Sequence, residues 1–213
     1  KGTMDGRFGR SQPCEIDISC EEGAHWQLEK RSIVRVYTTT QYCTGVMLNN
    51  TAYNGDPLLL TAQHCIENAS RAETSVFVFN YESPTCSGVD GNINDAVTGA
   101  TLRASSAPSD FALMELTTPP PPGYNVYYAG WNRDSLAPDS CVGIHHPAGD
   151  VKKISFDYRL QQENGMEETA IGETPFSERG RKRNVLGSLP TITGIFGLTI
   201  ANLAISRLSL EKK

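Results

Sequence analysis

Short apolar runs separated by turn residues dominate the chain as far as residue 157. Residues 32–40 (SIVRVYTTT) and 75–81 (SVFVFNY) alternate in polarity or are rich in β-branched and aromatic residues, which predicts strands. Residues 57–62 (PLLLTA) and 111–116 (FALMEL) are apolar on both faces, and residues 125–131 (NVYYAGW) are rich in aromatics. Because polar turns separate these runs and none follows a helical period, the pattern predicts an all-β barrel or sandwich.

The tail, residues 158–213, differs in composition from the rest of the chain. Residues 161–183 are polar and charged, whereas residues 184–206 contain no charged side chain. The uncharged stretch has nearly the length of a membrane span, but Pro190, three glycines and several hydroxyl side chains weaken that interpretation. We therefore predict two regions, residues 1–157 and an unmatched tail that is poorly ordered or consists of β-like segments. A membrane-tethered protein that uses 184–206 as its anchor is the alternative.

Composition and charge narrow the function classes. A hydrophobic content of 38% and a charged content of 20% are typical of a chain with a packed core. The formal net charge of −5 argues against a nucleic-acid partner, because phosphate binding needs a basic face. None of the six cysteines forms a CxxC pair, and their long, uneven spacings favour disulfides in an oxidising compartment. We predict a secreted or extracellular protein; no signal peptide is visible from Lys1 onward, which a removed leader explains.

His64 is the first candidate for chemistry, because it stands at the end of an apolar strand and directly before Cys65. A bridge from Cys65 to Cys43 would close a loop of about 20 residues, contribute about 3 kcal/mol and restrain the backbone that carries the imidazole. A catalytic Cys–His pair is the alternative, and a histidine that only fills the core is another. Adjacent residues on a strand point to opposite faces, so strand geometry favours a structural thiol.

Asp110 is the best candidate for the carboxylate that a catalytic histidine needs on its other ring nitrogen. It stands immediately before the apolar run 111–116, where a carboxylate can be buried and still hydrogen-bonded. An aspartate that only caps a turn or strand is the alternative that this position leaves open.

Four motifs in this order, CTGVMLNN…PLLLTAQHC, SDFALMEL, AGWNR and GIHHPAGDVKKIS, resemble the bacterial lysyl-endopeptidase-like branch of the chymotrypsin-like serine peptidases. The resemblance runs from about Cys14 to about Asp157. It implies a double β-barrel, of which this chain would contain the complete first barrel and an incomplete second one. It also implies hydrolysis of a polypeptide substrate by acyl transfer, without a metal or an organic cofactor.

The resemblance assigns roles to single residues. His64 matches the general base and Asp110 matches the carboxylate that orients it. Two disulfides are implied, Cys43–Cys65 beside the histidine and Cys20–Cys86. The pairing of Cys14 and Cys141 stays open, as does the oligomeric state. His145 and His146 suggest a metal site, but adjacent histidines without other spaced ligands favour a structural turn before Pro147.

One essential feature of these peptidases does not occur in residues 158–213. A glycine–X–serine–glycine turn would supply the nucleophile and the oxyanion hole, and the nearest string is LGSLP around Ser188, where leucine follows the serine. Resemblance and cysteines both stop near residue 157, so a shifted reading frame is one hypothesis for the tail. We predict a serine endopeptidase-like protein that is inactive as written. A non-catalytic, protease-like binding module is the alternative.

Overall fold

A computed structural model describes residues 8–86, 88–132 and 140–157 of the chain. The tail, with its uncharged stretch 184–206 and Ser188, lies outside the described residues. Within the described part, no helix is both long enough and apolar enough to cross a bilayer.

The described residues form ten strands and one α-helix. In chain order these are β1 (Ile16–Asp17), β2 (Ile33–Tyr37), β3 (Tyr42–Leu48), β4 (Leu58–Thr61), α1 (Ala69–Thr74), β5 (Val76–Val78), β6 (Ala96–Thr98), β7 (Ala100–Ser106), β8 (Phe111–Leu116), β9 (Cys141–His145) and β10 (Lys153–Asp157). Short 3₁₀ turns cover Glu21–Trp26, Glu29–Ser32, Pro122–Tyr124 and Pro147–Gly149.

Seven strands form one curled antiparallel sheet in the order β6–β5–β2–β3–β4–β8–β7. The other three form a smaller antiparallel sheet in the order β1–β10–β9. The all-β prediction is therefore confirmed. A barrel followed by the beginning of a second sheet fits a chymotrypsin-like double barrel whose second barrel is incomplete.

Gly99 closes the seven-stranded sheet into a barrel. β6 and β7 are the outermost strands of the sheet order, yet only Gly99 separates them along the chain. Its N–H donates to the carbonyl of Ser75 at 2.9 Å, and its own carbonyl accepts from the N–H of Thr117 at 3.0 Å. Its φ of 86° lies in the left-handed region that glycine adopts without strain. The chain thus bends at Gly99, so that β6 pairs with β5 and β7 pairs with β8, and the two ends of the curled sheet are joined through this residue.

The two faces of β4 and β8 pack into different hydrophobic clusters, which explains why both strands are apolar throughout. Leu59 and Met114 are fully buried in the main cluster inside the barrel. Leu60 and Leu113 belong to a second cluster on the opposite face of the same strands. β8 begins and ends at the residues that the sequence pattern predicted.

Residues 125–131 do not form the strand that their aromatic composition suggested. Ala129 makes a single parallel bridge with Leu48; its N–H donates to the carbonyl of Met47 at 2.8 Å and its carbonyl accepts from Asn49 at 2.9 Å. Trp131 donates from its indole nitrogen to the carbonyl of Asn49 at 3.0 Å. Val126 and Tyr128 nevertheless pack against the main hydrophobic cluster, so the apolar character of this segment reflects packing without regular strand pairing.

Arg35 joins the barrel to the smaller sheet. It lies on β2 between Val34 and Val36, whose side chains pack inside the barrel, so its own side chain points outward. It is nevertheless only 1% exposed. One guanidinium nitrogen donates to the carbonyl of Gly149 at 3.1 Å, and the guanidinium carbon lies 3.7 Å from the centroid of the Tyr81 ring. Burial lowers the pKa of Arg35, and the contact with Tyr81 opposes that shift.

Lys152 is a second buried cation at the same junction. Its side chain is 0% exposed. Its Nζ donates to the carbonyl of Lys30 at 2.7 Å and lies 3.4 Å from one carboxylate oxygen of Glu82. Nζ of Lys30 donates to the other carboxylate oxygen of Glu82 at 2.6 Å. Burial lowers the pKa of Lys152 to about 8, against the attraction of Glu82.

The free energy of unfolding should rise with pH between about 8 and 10.5 because of Lys152. Its pKa is about 8 when folded against a reference value of 10.5, so the unfolded chain binds more protons in this window. Below the window both states are protonated and the burial cost is fully present. The complete gain is on the order of 3 kcal/mol. Urea unfolding at about pH 7.5, 8.5 and 9.5 should show wild type gaining stability relative to Lys152→Met. A constant difference between the two would contradict this.

Gly99→Ala should lower the free energy of unfolding by about 1–3 kcal/mol. The backbone there has a positive φ, and an added Cβ would lie 3.2 Å from the carbonyl oxygen of Glu73. Gly123→Ala is the matched control, because nothing lies within 4 Å of its added Cβ and its φ is outside the left-handed region. Urea titration measures both. Equal losses in the two variants would argue against a special role of Gly99 in closing the barrel.

Candidate active site

His64 lies in the turn that follows β4 and not on the strand itself. The N–H of Cys65 donates to the carbonyl of Ala62 at 3.2 Å, which closes this turn. The expectation that strand geometry separates His64 from Cys65 is therefore wrong. A ring nitrogen of His64 and the sulfur atoms of Cys43 and Cys65 all lie within 4.8 Å of one another.

Both disulfides that the resemblance implied are present in the structure. Cys43–Cys65 connects β3 to the turn that carries His64, and Cys20–Cys86 connects the chain before β2 to the chain after β5. Because the sulfur of Cys65 is bonded to Cys43, it is not available as a thiolate nucleophile for His64 while the bridge is intact.

Asp110 contacts His64 at two points. One carboxylate oxygen accepts from the backbone N–H of His64 at 2.9 Å, and the other lies 2.7 Å from Nδ1 of the ring. An ionised carboxylate can only accept hydrogen bonds, so Nδ1 carries the hydrogen and Nε2 presents its lone pair. This is the tautomer that a general base requires.

The pairing of β4 with β8 brings the two residues together. Thr61, the last residue of β4, pairs with Ala112 near the start of β8. Because the strands are antiparallel, the turn after β4 and the turn before β8 lie at the same end of the barrel. Asp110 occupies the second turn with a φ of 47°, and its N–H donates to the carbonyl of Ala107 at 3.2 Å. Aspartate tolerates this left-handed conformation better than most residues do.

We expected the carboxylate of Asp110 to be shielded from water, but the pair is more exposed than that. The side chain of His64 is 63% exposed and that of Asp110 is 35% exposed. The reason is that both residues occupy turns at the rim of the barrel rather than positions inside it. An exposed ion pair contributes little to stability. The arrangement instead leaves the outer part of the imidazole accessible to a second molecule or side chain.

Gln41 is a site residue that the sequence did not indicate. Its side-chain amide donates to the carbonyl of His64 at 2.7 Å. Its backbone is fixed in the turn between β2 and β3, where the N–H of Thr38 donates to the carbonyl of Gln41 at 2.9 Å. Its position two residues before Cys43 was the only available signal. Asp110 and Gln41 together therefore form hydrogen bonds with the backbone N–H, the backbone carbonyl and the ring Nδ1 of His64.

Comparison with known protein families assigns the chain to a family. The model of the family described as "Lysyl endopeptidase, C-terminal domain" matches residues 8–181. The chain belongs to this lysyl endopeptidase family. The matched range continues past residue 157 and includes residues 158–181, which belong to the tail that we predicted to be unmatched.

A lysyl endopeptidase from Pseudomonas aeruginosa is similar to the chain, with 36% identity over 168 residues. The alignment covers 72% of the chain and 36% of that protein, so the chain spans about a third of the relative's length. Among solved structures, an inactive serine-to-alanine mutant of Rv3671c from M. tuberculosis H37Rv matches with a TM-score of 0.39 and 12% identity, over 60% of this chain and 49% of the other. Membership of the lysyl endopeptidase family rests on the sequence comparisons.

His145 is the last residue of β9, and His146 follows it directly. His146 is buried; its Nδ1 lies 2.9 Å from the carbonyl of Asp150, and its N–H donates to Thr44 at 2.9 Å. Burial, aided by the nearby charge of Lys152, lowers its pKa well below the usual range. Within the described ranges, the group of three side chains able to share a metal ion contains neither histidine. These contacts are those of a structural turn.

Asp110→Ala should change which ring nitrogen of His64 carries the hydrogen. With the carboxylate gone, nothing favours Nδ1–H, and the neutral ring should shift toward the Nε2–H form that a histidine side chain prefers in water. ¹H–¹⁵N spectra of the ring report the tautomer directly, and His64→Gln assigns the signals. Asp56→Ala is the control, because Asp56 accepts from Asn50 and Asn54 in a different turn. An unchanged Nδ1–H form in Asp110→Ala would contradict the assignment.

Proposed function

We propose that this chain is the part of a secreted serine endopeptidase that holds the general base and its orienting carboxylate. The observation that carries the proposal is the two-point contact of Asp110 with the backbone and the ring of His64. A carboxylate that only capped a turn would not need to contact a ring nitrogen in another turn. The two disulfides support an oxidising, extracellular setting.

The proposed reaction is hydrolysis of a polypeptide by acyl transfer. A serine hydroxyl attacks the substrate carbonyl while Nε2 of His64 takes its proton, and the imidazolium then gives that proton to the leaving amine. Asp110 keeps Nδ1–H in place and stabilises the imidazolium through this contact. The Cys43–Cys65 bridge and the amide of Gln41 hold the backbone of His64, so that the ring does not have to be ordered during the reaction.

We propose that the chain, as its sequence stands, lacks the nucleophilic serine. Ser188 is followed by Leu189 rather than by glycine. Ser106 and Ser109 are close to Asp110 in sequence, but they hydrogen-bond to each other at 2.8 Å and have no glycine-flanked turn to present them. The division of the chain at residue 157 and a shifted reading frame in the tail stay predictions, which the coding DNA downstream of codon 157 tests.

The same missing turn favours a second candidate, a non-catalytic module that uses the barrel to bind polypeptides. Both candidates predict that the folded chain forms no acyl-enzyme. They differ in whether a complete reading frame downstream of residue 157 restores a serine in a glycine–X–serine–glycine turn.

A fluorescent phosphonate that labels activated serines should not label the purified chain stoichiometrically. Removing a member of the catalytic triad typically costs several orders of magnitude in rate. A complete lysyl endopeptidase serves as the positive control, and circular dichroism verifies that the chain is folded. His64→Ala and Ser188→Ala are labelled in parallel. Stoichiometric labelling that His64→Ala abolishes would overturn the proposed inactivity, and its loss in Ser188→Ala would identify the nucleophile.

A further inference from the structure

A polar pocket lies between α1 and the turn that joins β2 to β3. Its volume is about 340 Å³, and its described lining consists of one guanidinium, one amide and three hydroxyl side chains, from Arg71, Asn68, Thr39, Ser70 and Thr74. None of these residues carries a carboxylate. We propose that this pocket is a subsite for an acidic side chain of the polypeptide substrate, with Arg71 as the residue that selects it. This role of Arg71 rests on the proposed function, in which a polypeptide lies across His64.

The guanidinium of Arg71 is fixed in position and can still donate to a second anion. Its Nη1 donates to Oγ1 of Thr40 at 3.1 Å, and its Nη2 lies 3.5 Å from a carboxylate oxygen of Glu67. A guanidinium carries five N–H donors, and these described contacts use two of them. Because the contact with Thr40 already restrains the group, less side-chain freedom is lost when a carboxylate binds. The planar guanidinium can hold that carboxylate through two parallel N–H donors.

Glu67 does not neutralise Arg71 effectively. The side chain of Glu67 is 53% exposed, whereas that of Arg71 is 21% exposed. A surface pair of this length is screened by water and contributes little free energy. A carboxylate that enters the pocket can therefore share the guanidinium with Glu67, or take it over while Glu67 returns to water.

One turn connects this pocket to the candidate active site. Thr40 accepts the hydrogen bond from Arg71, and the next residue, Gln41, donates its side-chain amide to the carbonyl of His64 at 2.7 Å. The turn is itself fixed, because Oγ1 of Thr38 accepts from the N–H of Gln41 at 3.1 Å. The imidazole of His64 is 63% exposed. An extended polypeptide advances about 3.3 Å per residue, so one that crosses this ring reaches the pocket within a few residues.

The charge of the pocket fits a single carboxylate better than a nucleic acid. Arg71 is the one cation among the described lining residues, and the formal net charge of the chain is −5. A phosphate backbone needs a basic face with several cations, whereas one guanidinium matches one carboxylate in charge and in geometry. The exposed hydroxyl groups of Thr39 and Ser70 can donate further hydrogen bonds to the same carboxylate. The ligand is therefore an isolated glutamate or aspartate within a peptide.

Titration of the 213-residue chain with short peptides, followed by ¹H–¹⁵N spectra, tests this subsite. The peptides are acetylated and amidated and differ in one central residue, which is glutamate or glutamine. We expect the glutamate peptide to bind roughly 3–10-fold more tightly, and to shift the Nε–H signal of Arg71 together with the ring signals of His64. In Arg71→Gln the two peptides should bind equally. Glu67→Gln should increase affinity for the glutamate peptide roughly 2–5-fold, because it removes a competing carboxylate.

Two controls separate the subsite from a general attraction between opposite charges. Arg103→Gln removes a guanidinium that is paired with Glu115 and does not line the pocket, so this variant should retain the preference for the glutamate peptide. A glutamine peptide with a free terminal carboxylate should bind no more tightly than its amidated form, which distinguishes a side-chain carboxylate from a terminal one. Circular dichroism verifies that each variant is folded.

Equal binding of the two amidated peptides by the unmodified chain, or a preference that survives in Arg71→Gln, would overturn the proposal. So would a glutamine peptide with a free terminal carboxylate that binds as tightly as the glutamate peptide. Shifts at Arg71 without any at His64 would also overturn it, since the ligand would then not lie across the ring. The tautomer of His64 is measured without peptide, so the proposed function and the preference of Arg71 can fail independently.

Discussion

The contact between the carboxylate of Asp110 and the N–H groups of His64 is the interaction on which the site depends. The two residues are 46 positions apart in sequence, and neither could find the other without the pairing of β4 with β8. That pairing is stable because both strands are apolar on both faces. One face of each strand packs inside the barrel, and the opposite face packs into a second hydrophobic cluster. The bend at Gly99 then lets β8 have a partner on each side. Packing in the barrel thus sets the distance between the imidazole of His64 and the carboxylate of Asp110.

The smaller sheet is attached to the barrel in a different way, through charged groups. Arg35 and Lys152 are both buried at this junction, and each reaches a backbone carbonyl of the other part. Removing two cations from water is costly, and the aromatic ring of Tyr81 and the carboxylate of Glu82 offset part of this cost. An interface of this kind is specific in its geometry, since a shifted register would leave a buried charge without its partner.

The sequence pattern predicted β4 and β8, whose residues are almost all buried, and missed β7, whose burial is one-sided. β4 and β8 were predicted because continuous apolar runs are hard to place anywhere else. β7 alternates between buried and exposed residues, but its small and polar side chains give little contrast, so it was not recognised. The segment around Ala129 was predicted as a strand because it is aromatic, although it has a single bridge to the barrel.

The candidate site shows the same limit. Local patterns left Asp110 equally compatible with a simple cap, and the resemblance to a family was needed to pair it with His64. No local pattern could show that β4 ends before His64, which is why the closeness of Cys65 to the imidazole was not expected. The contact of Gln41 with the carbonyl of His64 depends on how two turns meet, and this is a tertiary property.

The two disulfides are nested, since the residues joined by Cys43–Cys65 lie inside the loop closed by Cys20–Cys86. His64 is inside both loops, whereas Asp110 is outside both. His64 is therefore confined by covalent bonds even in a loosened chain, and Asp110 is retained by strand pairing and hydrogen bonds alone. Local unfolding that separates β8 from β4 would remove Asp110 while His64 stayed near its folded position. Loss of orientation of the imidazole, and not loss of the imidazole itself, is thus the first failure that this architecture permits.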